Sequence, residues 1–536
     1  MIQKLFRKDR SVLYLLLVLF AVYSGVFIYK TSFVIDGTRY FTLFDDAMVS
    51  MRYARNLAMG NGLVMNPGER VEGITNPMWT VYMAAVHLVP VPQEKVSLVI
   101  QVSAAVFLAL NLIFIMKIAR LVSNNVSAVS SSAMFLTAFY LPLINWSLQG
   151  MEVCVLTLMI SIIVWRSLLS LQNGRFSPSV YMLLGISTIV RIDMAVPLAG
   201  IWFLLIMAQP EHRKKNIIWG GLTIVIFLGG QTMLRALYYG ELLPNTYYLK
   251  MTGYPIVLRL SRGFVVWWKF IWSMNLLVFL VPVLVVILAC NQCVGLLALV
   301  VGLQMLYSIY VGGDAWDDWG GSNRYIAIIM PQFFVLLSWG LYRIHGIISG
   351  LLGSREISGS KILAVIKKHS FVFLVILSFI QLNSNSNSLT LKGLFFFDLP
   401  PHAENNRTMV ERANIVKKIT TPEARIAVTW AGIIPYFSER YTVDILGKTD
   451  KSIARAKMRT ASEDQSRYTF FLPGHLKYDY GHSLGEMKPD VVLQFWGDIQ
   501  EANEYIAGKY VKIMVGNLWV YALEGSENVR WDLFSK

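Results

Sequence analysis

Apolar runs long enough to cross a bilayer recur from residue 11 to residue 382, and in lipid such a chain can only form helices that satisfy their own backbone hydrogen bonds. The uncharged runs are 11–29, 96–116, 126–144, 153–165, 217–234, 270–290, 294–311 and 326–341. Residues 180–208 exceed one simple crossing and are broken by Arg191 and Asp193, which predicts two short helices meeting at a polar turn. Residues 371–382 need flanking residues to cross. Hydrophobic residues make up 55% of the 536 and charged ones only 15%, so the fold class is an all-α polytopic membrane bundle.

The net charge of +15 does not call for nucleic acid, because the basic residues lie in short segments between apolar runs. Segments 117–120, 166–175, 212–215 and 343–368 are placed in the cytoplasm by the positive-inside bias. The first run follows Lys4, Arg7, Lys8 and Arg10 without a small-residue cleavage signature, so it reads as a retained anchor with a cytoplasmic N-terminus. This bookkeeping gives about eleven crossings, with residues 77–92 as a helix along the outer interface. Cys154, Cys290 and Cys293 fall within or beside apolar runs, and the lone CxxC of Cys290 and Cys293 reads as apolar filler rather than a redox or metal site.

On this layout residues 1–383 form the membrane domain, with a polar first outer loop at 30–95. The outer side also receives the turn after residue 144, the Arg191/Asp193 turn, the ELLPNTYYLKMTG and GGDAWDDWGGSNRY loops, and everything past residue 382. Beyond 383 the apolar runs shorten to strand length: ARIAVTW, PDVVLQFW and VKIMVGNLWVYAL read as strands and 405–419 as an amphipathic helix. Residues 384–536 are therefore expected to form a soluble α/β domain on the outer side. No internal repeat is evident.

The first outer loop holds adjacent carboxylates, Asp45 and Asp46, in a segment too polar to insert. Outside an inner membrane no nucleotide sugars are present, so a glycosyl donor must come on a lipid phosphate. Its transfer needs a carboxylate to deprotonate the acceptor hydroxyl, cations for the leaving phosphate and aromatic surfaces for sugar rings. Asp45 or Asp46 is the candidate base, and Arg52, Arg55, Arg191, Lys250 and Arg324 are candidate phosphate partners. Trp79, Tyr247, Tyr248, Trp316 and Trp319 are candidate walls.

Each has a structural alternative. Asp46 could cap a helix starting near Ala47, Arg52 and Arg55 could snorkel to headgroups, and Arg191 could simply pair with Asp193. Asp314, Asp317 and Asp318 among four glycines fit either a divalent-cation site or a solvated turn. Glu152 at a helix start is explained by the helix dipole, and His475 is expected at the surface of the soluble domain.

The segments FDDAMVSMRYARNLAMGNGLVMNPGERVEGITNP, PNTYYLK, GGD…RY, IPYFSERYTVDILGKTD and PGHLKYD resemble the GT-C glycosyltransferases related to the mycobacterial terminal β-(1→2)-arabinofuranosyltransferases, with the pilin arabinofuranosyltransferases of Gram-negative bacteria nearby. The resemblance implies a GT-C bundle in a bacterial inner membrane with an outward, periplasmic site. It implies a polyprenyl-phosphate sugar such as decaprenyl-phospho-arabinofuranose as donor, and a periplasmic glycan or protein such as pilin as acceptor. It makes Asp45 and Asp46 catalytic, and Glu72, Asn245, Lys250, Asp314 and Arg324 donor or acceptor contacts. Rival readings are a hexosyltransferase of the same type, a lipid-linked glycan flippase, which would need a charged path to both faces, and a ligase using a diphosphate donor.

Overall fold

The computed structural model describes residues 2–289, 291–317, 323–354, 361–384, 389–400, 403–459, 471–516 and 518–534. Cys290, Asp318, Trp319, Gly320 and Gly321 lie outside the described residues. Among the described residues, six helices are long and apolar enough to cross a membrane: Arg10–Thr31, Gln93–Val122, Val153–Asn173, Pro210–Tyr239, Gln292–Tyr310 and Met330–Leu351. Two bent helix pairs raise the number to eight, and Pro178–Val190, Ile192–Ala208 and Lys368–Asn383 are shorter apolar helices. Gln93–Val122 and Val153–Asn173 pack along one another, and Val153–Asn173 is the more deeply buried of the two.

The break expected at Arg191 is present: Pro178–Val190 ends there and the chain re-enters helix through Ile192–Met194. Two expected spans need correction. Residues 126–144 form two helices, Ser127–Ala138 and Leu141–Leu148, bent by 49°. Pro142 in the first turn of the second lacks the N–H that would continue the first. The expected span 270–290 begins too early, because Phe270 to Ser273 end the helix Ile256–Ser273, which meets Leu276–Leu288 at 98°. Asn275 makes that corner with a φ of 76° while its side chain accepts the Leu277 N–H.

The loop after the first span starts with a hairpin, β1 (Phe33–Ile35) against β2 (Thr38–Tyr40), turned by Asp36 and Gly37, both at positive φ. Helix Asp45–Ala58 follows and packs on helix Pro77–His87. It begins at Asp45 with Phe44 preceding it, so Asp46 is not its cap.

The C-terminal part holds a five-stranded sheet of order β4-β3-β5-β7-β6, from β3 (Arg425–Val428), β4 (Tyr441–Asp444), β5 (Val491–Val492), β6 (Tyr510–Val515) and β7 (Leu518–Leu523). β3 runs parallel to β4 and β5, while β5/β7 and β6/β7 are antiparallel. Strand alternation splits β3, with Ile426 and Val428 facing the main core and Ala427 a smaller one with Tyr480 and Val492. Helix Asn406–Ile419 buries Met409, Val410, Ala413, Val416 and Ile419, the spacing of one apolar face. It packs on helix Ile433–Ser438, which also packs on helix Asp45–Ala58. Phe44, Ile433 and Tyr436 thus join one continuous core, and the sheet portion is fastened directly to the acid-bearing helix.

Candidate functional site

A cavity of about 340 Å³ opens beside helix Asp45–Ala58, lined by Asp46, Arg191, Asp193, Lys250, Arg324 and Lys448 among its polar groups. Its aromatic walls are Tyr247, Tyr307, Tyr310 and Tyr325. The position suits a ligand with both charge and apolar surface.

Asp46 is gripped from two sides. Lys448 Nζ pairs with its Oδ1, and Arg324 Nη2 lies 3.1 Å from its Oδ2. Arg324 also holds Asp314 through two bonds, Nε to Oδ2 at 2.6 Å and Nη2 to Oδ1 at 2.9 Å. Burial raises the Asp46 carboxyl, but Lys448, Arg324 and Lys250 outweigh it and hold the group well below the usual carboxylate range. Asp314 is likewise lowered, its burial overcome by Arg324. Lys250 is pushed down to about 8 by burial, with Arg324 adding to the effect, and among the described residues no carboxylate is within ion-pair distance of it.

Lys448 follows β4 in a turn that is tightly specified. Asp444 accepts the Leu446 and Thr449 N–H groups at 3.0 and 2.9 Å, and Gly447 takes a φ of 73°. Asn245 Nδ2 donates to the carbonyls of Gly447, Lys448 and Asp450 at 3.0, 2.9 and 3.1 Å. Asn245, expected as a substrate contact, therefore clamps the lysine turn and is absent from the cavity lining.

A second charged cluster borders the same cavity. Arg191 lies 2.7 Å from Glu152 Oε1 and 3.0 Å from Asp193 Oδ2, with its guanidinium 4.7 Å over the Tyr325 ring. Glu152 Oε2 accepts from Asn76 Nδ2 at 2.8 Å, and Asn76 Oδ1 accepts the Ser50 hydroxyl at 2.9 Å. Ser50 is one helical turn beyond Asp46, so hydrogen bonds link Arg191 back to the acid helix.

Asp45 faces elsewhere. Its Oδ1 accepts the backbone N–H groups of Gly432 and Ile433 at 3.2 and 2.9 Å, and its carboxyl borders a small separate cleft with Trp316 and Trp430. Burial pushes this carboxyl up to about 6, with Lys448 and the two N–H groups acting the other way.

The structure brings Asp46, Arg191, Asp193, Lys250, Asp314 and Arg324 together with the candidate wall Tyr247 and sets the other described candidates apart. Arg55 binds Glu439 at 3.0 Å and the Tyr436 carbonyl, and Arg52 is buried near them. Glu72 pairs with Arg235, Trp79 donates to the Gly150 carbonyl and Tyr248 lies under Arg455. Trp316 packs on Trp430 and His475. His475 is not a free surface group: it sits between Trp316 and Trp496, and burial pushes it down to about 4. Asp317 lies 3.2 Å from Arg262, and among the described residues no cluster of three or more His, Cys, Asp or Glu side chains is placed to hold a metal ion.

Sequence reasoning named Tyr247 as a wall but passed over Lys448 and the walls Tyr307, Tyr310 and Tyr325, and it gave Glu152 only a helix-dipole role. Glu152 caps no N–H of its helix, so the dipole account does not cover its pairing with Arg191. The readable signals were the YSIY repeat ahead of GGD and the lysine in DILGKTD.

Bundle, acid-bearing first-loop helix and α/β portion together make the GT-C glycosyltransferase fold. ArnT from Cupriavidus metallidurans, solved bound to undecaprenyl phosphate, superimposes with a TM-score of 0.56 at 10% identity over 95% of this chain and 97% of that one. The oligosaccharyltransferase AglB from Archaeoglobus fulgidus, solved with an inhibitory peptide and a dolichol-phosphate, gives 0.51 at 11% identity over 98% and 75%. In sequence, the chain is 27% identical over 334 residues to the terminal β-(1→2)-arabinofuranosyltransferase of Mycobacterium tuberculosis, covering 55% of this chain. The chain spans about half the length of that curated relative, 51%. Residues 401–529 match a family described only as a domain of unknown function, DUF8728. The resemblance to GT-C glycosyltransferases read from the sequence is borne out.

Proposed function

We propose that this chain transfers one sugar, D-arabinofuranose, from a polyprenyl phosphate to a hydroxyl of a glycan or protein such as pilin, on the periplasmic face of a bacterial inner membrane. The observation that carries the reading is Asp46, held between Lys448 and Arg324 on the wall of a cavity that also contains Lys250. Asp46 takes the acceptor proton, and the cations stabilise the departing phosphate. The tyrosine walls suit a sugar ring, and Arg191 and Asp193 on the lining offer hydroxyl partners. No covalent enzyme intermediate is required. Residues 1–383 act as the membrane and donor-binding domain, and residues 384–536 as the part that completes the site and meets the acceptor.

The phosphate donor is supported by the two solved relatives, which hold a polyprenyl or dolichyl phosphate, and the sugar by the sequence relative. The test is release of decaprenyl phosphate from decaprenyl-phospho-arabinofuranose by the full chain in lipid nanodiscs, with a polyprenyl-phospho-mannose arm run alongside. Release from the arabinose donor that disappears in Asp46→Asn is expected. Release from the mannose donor alone would replace the pentose by a hexose, and release from neither would end the reading. Mass spectrometry of periplasmic glycans and pilins from a deletion strain names the acceptor.

A further inference from the structure

Two kinds of cation meet at Asp46. Arg324 is committed, because its guanidinium already grips Asp314 through two bonds. Lys448 is a point charge on a flexible stem, and among the described residues Asp46 is the only carboxylate within ion-pair distance of its ammonium. Lys448, Lys250 and Arg324 against Asp46 and Asp314 leave one net positive charge at this cluster. A sugar on polyprenyl phosphate is a phosphodiester with one negative charge.

We propose that Lys448, carried by the α/β portion, is a ligand of the donor's phosphate and exchanges Asp46 for it, so that the base is set free only in a donor-loaded site. The inference rests on the glycosyl-transfer reading above and deepens it. In the loaded site the acceptor hydroxyl gives its proton to Asp46 Oδ1, the oxygen that Lys448 vacates. The acceptor oxygen bonds to the anomeric carbon, and the bond from that carbon to the phosphate oxygen breaks with its electron pair going to the phosphate. Asp46 is then neutral, so three cations face one carboxylate. The leaving polyprenyl phosphate, a monoester, carries close to two negative charges. Cluster and ligand therefore match in charge before and after transfer, and the exchange ties deprotonation of the acceptor to the presence of a donor.

The groups facing Asp46 are Lys448 and His475 from the α/β portion, Arg324 with Asp314, Lys250, and Asp45 on its own helix. Of these, Lys448 is the strongest single influence that keeps the carboxyl ionised.

The experiment measures binding of undecaprenyl phosphate, with undecaprenol as the uncharged control, to the full chain in nanodiscs, together with transfer kinetics. Lys448→Met should weaken undecaprenyl phosphate binding and raise the donor KM by roughly tenfold, leaving undecaprenol unchanged. The same variant should move the acid limb of kcat/KM to higher pH, and Lys448→Arg should restore binding. Asp46→Asn keeps the lysine but removes its competitor, so it should bind undecaprenyl phosphate more tightly than wild type. This last measurement stands even where Lys448→Met fails to fold. A wild-type chain that transfers sugar while Asp46→Asn binds the phosphate no more tightly, or a folded Lys448→Met that keeps its donor KM, overturns the exchange. A wild type that neither binds the phosphate nor transfers overturns the functional reading and the exchange together.

Discussion

Asp45 and Asp46 are neighbours in the chain and turn away from each other: Asp46 faces the cavity and its cations, while Asp45 receives two backbone N–H groups from the α/β portion. Successive side chains on a helix point about 100° apart, so an adjacent pair can serve two neighbours at once. Asp46→Asn should lower transfer by about 10²- to 10⁴-fold, the usual worth of a general base. Asp45→Asn keeps an oxygen that can accept the Gly432 and Ile433 N–H groups, so it should hold activity within about tenfold of wild type. Single-turnover sugar transfer in nanodiscs measures both, and equal losses in the two would remove the division of labour.

The same pair gives a pH signature. The folded state raises the Asp45 carboxyl to about 6, so the fold favours its protonated form. The cost of keeping that group ionised is present above pH 6 and disappears as pH falls toward about 4, the range of an unperturbed carboxylate. Asp45→Asn removes this cost. Its Tm should exceed that of wild type most clearly above pH 6, and the two curves should converge near pH 4. A difference that grows as pH falls would contradict the burial account.

Much of this organisation was legible because partitioning into lipid is a local property of sequence. The helices at Arg10–Thr31, Gln93–Val122 and Gln292–Tyr310, and the break at Arg191, follow from runs and interruptions visible in a short window. The corners at 139–140 and 274–275 escaped, since an apolar window does not register what Pro142 and Asn275 do to direction. The acid pair stood out as adjacent carboxylates in a polar segment beside the first apolar run, but its assignment did not, because the partners come from far along the chain. Lys448 is 402 positions from Asp46, and Ile433 is 388 from Asp45. Arg52 and Arg55 had the charge a phosphate wants, yet Arg55 meets Glu439 and Tyr436 for the same long-range reason.

Glu152 and Arg191 form a fully buried pair whose two functions can be separated. Removing Arg191 leaves two buried carboxylates, Glu152 and Asp193, without their cation and costs about 3–5 kcal/mol, so Arg191→Met should lose both Tm and transfer. The triple variant Arg191→Met with Glu152→Gln and Asp193→Asn removes all three buried charges together. It should recover much of the Tm without recovering transfer, because the cavity then lacks Arg191. Thermal unfolding and transfer rate on wild type and the two variants check this, and a triple variant with restored transfer would make the cluster purely structural.

The last prediction concerns how the α/β portion is held to the acid helix. Gly432 packs so closely on that helix that an added Cβ would lie 1.9 Å from the Asp45 carbonyl oxygen, a backbone atom that cannot swing aside. Gly432→Ala must therefore part helix Ile433–Ser438 from helix Asp45–Ala58, and overpacking of this kind costs about 1–3 kcal/mol. Lys448 belongs to one side of that contact and Asp46 to the other, so the same displacement lengthens their ion pair. Transfer should fall by more than the loss of Tm alone explains, with the donor KM rising as it does when Lys448 is removed. Gly221→Ala, where an added Cβ meets nothing within 4 Å, should leave both Tm and KM as in wild type. If Gly432→Ala keeps the donor KM despite a lower Tm, the phosphate site lies wholly within the bundle and owes nothing to the α/β portion.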